Sequence, residues 1–101
     1  PFNEYSEKSI VNAILSLQNL NQSLNTESLL VKLKKITVHE ENINFANTNL
    51  MALYFSKGDF FKARDISNEI LNQKYIDSNI YQDAIEVFAR SSIYLKDSLA
   101  A

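Results

Sequence analysis

His39 is the only histidine of the chain, and it heads the polar run His39-Glu40-Glu41-Asn42. An imidazole next to carboxylates has the parts of a general base or of a metal site. A zinc-binding helix built on such a start needs its second histidine four residues further on, where Ile43 stands. With no cysteine, thiolate nucleophiles and thiolate metal sites are excluded too. His39 therefore reads as a solvated linker residue. The carboxylates Asp59, Asp65, Glu69, Asp77, Asp83, Glu86 and Asp97 fall at helix starts or on polar helical faces, where capping and solvation account for them. A single glycine, Gly58, cannot build a phosphate-cradling loop. Lys32, Lys34 and Lys35 form a small basic cluster that Glu40 and Glu41 offset. No catalytic, cofactor-binding or metal-ligating residue is expected, and the chain reads as non-enzymatic.

Composition bounds the elements that carry these residues. In 101 residues, 46% apolar content is enough for one small core or for part of a larger one. Ten basic residues against twelve acidic leave a net charge of −2, so no general attraction draws the chain to nucleic acid or to an anionic membrane. Its apolar runs are a few residues long, whereas a membrane-spanning helix needs about 20 in a row, and no insertion by this segment is expected. One Gly and one Pro supply too few turn formers for sandwiches, barrels or doubly wound sheets. The start on Pro1 in place of Met reads as that of an excised piece.

Helical periodicity fills the chain. Ile10, Ala13, Ile14, Leu17 and Leu20 define a first helix from about Glu4 to Ser23. After a turn at Asn25, Thr26 is the expected N-cap of a second helix carrying Leu29, Leu30, Leu33 and Ile36 to about Val38. Ile43, Ala46, Leu50, Leu53 and Tyr54 mark a third, ending near Ser56. Lys57-Gly58-Asp59 is a sharp hairpin signal, a glycine for the left-handed position followed by a capping aspartate. Phe60, Ala63, Ile66, Ile70 and Leu71 carry the fourth helix to about Gln73. Cap residues around Asp77-Ser78-Asn79 open the fifth, with Ile80, Tyr81, Ala84, Ile85, Phe88 and Ile93 in its buried stripe to about Leu95. Asp97 is then the expected cap of a sixth helix that has only begun.

The helices pair with themselves. An offset of 33 matches Asn25 to Gly58, Ile10 to Ile43, Ala13 to Ala46, Leu17 to Leu50, Leu30 to Ala63 and Val38 to Leu71. An offset of 38 matches Ile43 to Tyr81, Ala46 to Ala84, Leu50 to Phe88 and Asp59 to Asp97. The expected domain is a single one over 1–101, with units at about 4–38, 42–73 and 78–101. A period near 34 made of two antiparallel helices resembles the tetratricopeptide (TPR) repeat. The likeness rests on Leu50, Tyr54, Gly58-Asp59-Phe60 and Ala63 in the middle unit, and on Phe88, Ala89, Asp97 and Ala101 in the last. Met51, Gln18 and Leu30 depart from the small residues of that pattern, and its closing proline is absent.

What the resemblance implies is an all-α, right-handed α-α superhelix of antiparallel hairpins, five helices plus the start of a sixth. It implies a protein-binding scaffold whose concave face takes a protein or peptide partner. The positions it assigns to that face are Asn12, Leu15 and Asn19 in the first unit, Phe45, Thr48, Ala52 and Phe55 in the second, and Asp83, Glu86, Arg90 and Tyr94 in the third. The TPR domains that clamp chaperone C-terminal carboxylates need a lysine where Leu15 stands, so chaperone-tail binding is not expected. The stretch Lys57–Arg64 is similar to arrays in bacterial cell-envelope TPR proteins, which favours the envelope or periplasm over the cytoplasm. An open C-terminal end at Leu99 would leave apolar surface for self-association. The alternative function is a helical sensor domain that binds a small peptide or effector and controls an attached output module.

Overall fold

The computed structural model describes residues 4–19, 23–73 and 77–100. Among them are five helices and no strand: α1 Glu4–Asn19, α2 Ser23–Ile36, α3 Glu40–Lys57, α4 Phe60–Leu71 and α5 Ser78–Ala100. The all-α expectation holds at that level. Among the described residues no helix is long and apolar enough to cross a membrane.

The boundaries correct the sequence reading in three places. Helix α2 starts at Ser23, so Asn25 and Thr26 lie inside it rather than at a turn and a cap, and Thr26 is buried. The pairing of Asn25 with Gly58 as equivalent turns therefore fails. The second correction concerns Val38. It sits beyond the end of α2 at 86% exposure, while Thr37 takes the buried seat beside it. Third, α5 runs unbroken through Asp97 to Ala100, so no sixth helix begins there. An aspartate on a helix surface is tolerated when nothing else stops the helix, and neither Gly nor Pro follows Asp97. Leu20 lies outside the described residues, as does the side chain of Leu99, so the apolar end expected there does too.

The chain divides into two compact units, Pro1–Ala46 and Asn47–Ala101. In the first, α1 packs on α2, and Ile14, Leu30 and Leu33 are fully buried. Burial of such a side chain contributes about 1.5–3 kcal/mol. Ile10 and Leu17 flank Ile14 half-buried, while Ala13, expected on the same stripe, is exposed.

The second unit holds the better punctuated turn. Gly58 has φ +81°, the Asp59 amide donates to the Tyr54 carbonyl at 2.9 Å, and the Gly58 amide donates to the Phe55 carbonyl at 3.1 Å. These are the two bonds of a Schellman motif, and they satisfy carbonyls that the end of α3 would otherwise leave open. Asp59 then caps α4 by accepting from the Lys62 amide. At the head of α5, Asp77 accepts from the Asn79 amide at 2.8 Å. Phe55 meets Phe60 and Asn47 meets Glu69, so α4 runs back along α3. Phe60 stacks on Tyr94, and Ile70 shares a cluster with Met51 and Ala84, so α5 runs back along α4 and parallel to α3. Ala63, Ser67, Ala84 and Ser91 are fully buried on α4 and α5. Their small side chains let the two backbones approach closely. Tyr81, Ile85 and Ile93, expected in the buried stripe of α5, are instead 43%, 46% and 58% exposed.

Candidate functional site

The residues assigned to a concave face fall into the two units. In Pro1–Ala46, Asn12 is exposed, Leu15 is largely exposed and Phe45 is half-buried, while the side chain of Asn19 lies outside the described set. The seven others belong to Asn47–Ala101, and there the structure brings several together. Phe55 on α3 and Tyr94 on α5 contact each other with ring centroids 6.4 Å apart. Both also pack on Phe60 of α4, Phe55 edge-on at 5.6 Å and Tyr94 stacked at 4.5 Å. This three-ring cluster ties the end of α3 to the start of α4 and to the last turns of α5. Thr48 is half-buried and Ala52 exposed, two turns and one turn before Phe55 on α3. On α5, Glu86 accepts from the Arg90 guanidinium at 3.1 Å, four residues apart on the helix surface. Asp83 is exposed one turn further towards the N-terminus. The result is a mixed face, an aromatic end at Phe55 and Tyr94 and a charged stretch at Arg90, Glu86 and Asp83.

A second cluster escaped the sequence reading. Glu7 is buried on α1, and its Oε1 accepts from the Thr37 hydroxyl and, at 2.7 Å, from the Asn42 Nδ2. The Thr37 hydroxyl oxygen in turn accepts from the His39 amide at 3.1 Å. On its other side, Glu7 Oε2 faces His39 Nε2 at 3.8 Å. One carboxylate thus fastens α1 to the connector 37–39 and to the first turn of α3. The Thr37 hydroxyl, more than any other neighbour, lowers the pKa of Glu7. The Asn42 amide acts in the same direction, burial opposes both, and His39 adds a smaller favourable field. His39 does lie in the connector, as expected, but it is half-buried against a carboxylate rather than simply solvated. A shallow recess of about 260 Å³ adjoins the cluster, lined by Lys8, Val11, Asn12, His39, Glu41 and Asn42.

The signal for this cluster was in the sequence. Glu7 lies three and seven residues before Ile10 and Ile14, so it falls in phase with the apolar stripe of α1. A carboxylate on a buried face needs donors, and here they come from residues 30 and 35 positions away. The Thr37 hydroxyl donates to Glu7 and accepts from the His39 amide, so its contacts join the helix α1 carboxylate to the connector. Among the described residues, no group of three or more His, Cys, Asp or Glu is arranged to hold a metal ion.

No family model, no curated protein and no solved structure matches the chain. The functional reading therefore rests on the arrangement of its own residues.

Proposed function

We propose that this chain is a non-enzymatic interaction module of TPR-like helical hairpins, and that it binds a protein or peptide partner on the face where α3 and α5 lie side by side. The contact between Phe55 and Tyr94 carries this reading. It joins α3 and α5 at Phe55 and Tyr94, and in this reading Thr48 and Ala52 on α3 and Asp83 and Arg90 on α5 extend the same face, so that one partner touches both helices. Supporting it, α3 and α5 start 38 residues apart at Glu40 and Ser78, and Ala46 and Ala84 are both fully buried in that register. A hairpin with apolar surface on two flanks is completed by neighbours, which leaves an array with an extended face for binding. The aromatic rings supply apolar contact area, and the exposed charges of Asp83, Glu86 and Arg90 supply orientation.

Affinity capture with the whole chain tests this. Asp83→Lys and Arg90→Glu change exposed side chains and leave the aromatic cluster alone, so helicity by circular dichroism stays at the wild-type value. A partner retained by the wild type and lost from both variants is the expected result. Equal capture by all three proteins would place binding elsewhere on the molecule.

A further inference from the structure

We infer that the connector 37–39 is a pH-sensitive latch: a proton on His39 draws its imidazole onto Glu7 and holds α1, the connector and the first turn of α3 together, and loss of that proton lets the connector open. All of its parts lie in the unit Pro1–Ala46, so the latch is independent of the face proposed on α3 and α5. Glu7 Oε1 already accepts from the Thr37 hydroxyl and the Asn42 amide. Its Oε2 faces His39 Nε2 at 3.8 Å, within reach of an ion pair but longer than a hydrogen bond. A small rotation of the ring closes that gap. The imidazole is 43% exposed and exchanges its proton with water, whereas the carboxylate is 5% exposed and gains most from a cation beside it. His39 also holds the backbone here. Its amide donates to the Thr37 hydroxyl, and its carbonyl accepts from the Asn42 and Ile43 amides that open α3, each at 3.1 Å.

Only one member of the pair changes charge near neutral pH. The bonds from Thr37 and Asn42 hold the Glu7 carboxyl below its ordinary range, so it stays an anion where an imidazole titrates, at about pH 6.5. The closed connector therefore binds a proton better than the open one, and closure is favoured as pH falls through the imidazole range and lost as it rises. The other charged groups on the elements that meet here act against one another. Lys8 of α1 and Glu41 of α3 both line the recess beside His39, with opposite signs. Lys34 and Lys35 end α2, and Glu40 joins Glu41 in the first turn of α3, where the two carboxylates offset the helix N-terminus that would otherwise oppose a charged imidazole.

Amide hydrogen exchange of the whole chain, followed by NMR at about pH 5.5 and pH 7.5 and divided by the intrinsic rate at each pH, tests the latch. The reporters are the amides of His39, Asn42 and Ile43, read against the Lys62 amide that Asp59 holds in the other unit. Their protection relative to Lys62 should be about two- to fivefold higher at the lower pH, the size expected of a partly exposed ion pair. His39→Gln and Glu7→Gln should each make the ratio the same at both pH values, and Glu41→Gln should keep the difference. His39→Gln alters a half-exposed side chain and leaves the Glu7 bonds to Thr37 and Asn42 in place, so it decides the test even where Glu7→Gln loosens the unit. Equal protection at the two pH values in the wild type, or a difference that survives in His39→Gln, overturns the inference. So does a difference lost in Glu41→Gln and kept in Glu7→Gln, because the imidazole would then answer to the wrong carboxylate.

Discussion

Helices α3 and α5 can be set side by side with Ala46 aligned to Ala84, and they differ in how much of their surface is covered. Both place an alanine at zero exposure in the same register, Ala46 and Ala84. Beyond that point, Asn47, Leu50 and Met51 of α3 are buried, whereas Ile85 and Ala89, which align with Asn47 and Met51, are exposed. The sequences anticipate the difference in part. Apolar residues of α3 are spread around most of its circumference, from Ile43 through Phe45, Ala46, Leu50, Met51 and Leu53 to Phe55. A helix of that kind belongs inside. On α5 a polar side remains at Gln82, Asp83, Glu86 and Arg90, and its apolar side is wider than α3 and α4 can cover. Burial here follows from the neighbours each helix has, not from the hydrophobicity of its residues.

The largest effects test that contrast in the core. Met51→Ala removes a side chain that is 3% exposed and packed with Ile70 and Ala84, at an expected cost of about 2–4 kcal/mol. Ile85→Ala and Ile93→Ala should stay within about 0.5 kcal/mol of wild type, because no described neighbour depends on them. Ala84 and Ala89 of α5 give the opposite test. At Ala84, a leucine must displace Met51 or Ile70 and should cost about 1–3 kcal/mol, while at Ala89 it enters solvent and should be close to neutral. Urea denaturation of the five single variants measures all of these. Equal costs at Met51 and Ile85 would mean that α5 is covered as fully as α3.

A smaller effect is expected at the turn that closes α3. Gly58 is exposed, and a Cβ built on it meets nothing within 4 Å, so only its φ of +81° is at stake. Gly58→Ala should cost about 1 kcal/mol, and Gly58→Asn less, since asparagine tolerates the left-handed region. The same denaturation series reads both. A cost near zero for alanine would show that the Schellman turn is not fixed by the glycine.

Legibility followed the strength of local signals. The boundary between α3 and α4 was readable to within a residue or two because Gly58 and Asp59 act through their own backbone and side chain. The start of α2 was not, because two polar stretches compete there. Thr26-Glu27 has the better capping composition, yet Thr26 is buried and Ser23 opens the helix. The extent of α5 was misread for a related reason: Asp97 is as compatible with a helix surface as with a cap. Exposure of Tyr81, Ile85 and Ile93 could not be seen from their spacing, which marks an apolar side without saying whether anything packs on it. The face positions on α3 and α5 came from family likeness, and their meeting at Phe55 and Tyr94 is a tertiary contact 39 residues apart in sequence. Glu7 was missed because its partners lie 30 and 35 residues away, beyond any local rule.

The contrast between covered and uncovered groups extends to the carboxylates, and there the expected effects are smallest. Glu7 has a folded-state pKa held below its unfolded value by the Thr37 hydroxyl first and the Asn42 amide second. Its contribution to stability is therefore complete above the unfolded pKa and is lost as pH falls through the folded pKa. Wild-type stability should drop in that acid window with uptake of less than one extra proton on unfolding, and Glu7→Gln should flatten this part of the profile. Unfolding curves at a series of pH values measure the slope; an unchanged slope in Glu7→Gln would remove Glu7 from the acid response. Glu86 on α5 is the uncovered counterpart. Its pair with Arg90 is 3.1 Å long, but both side chains are more than half exposed, at 59% and 58%. Water screens such a pair, and Arg90→Ala should change stability by about 0.5 kcal/mol or less, with the difference fading as salt is raised. An exposed pair of so little structural value leaves Arg90 free to be spent on a partner, and a loss of capture in Arg90→Glu without loss of stability would separate that role from any part in the fold.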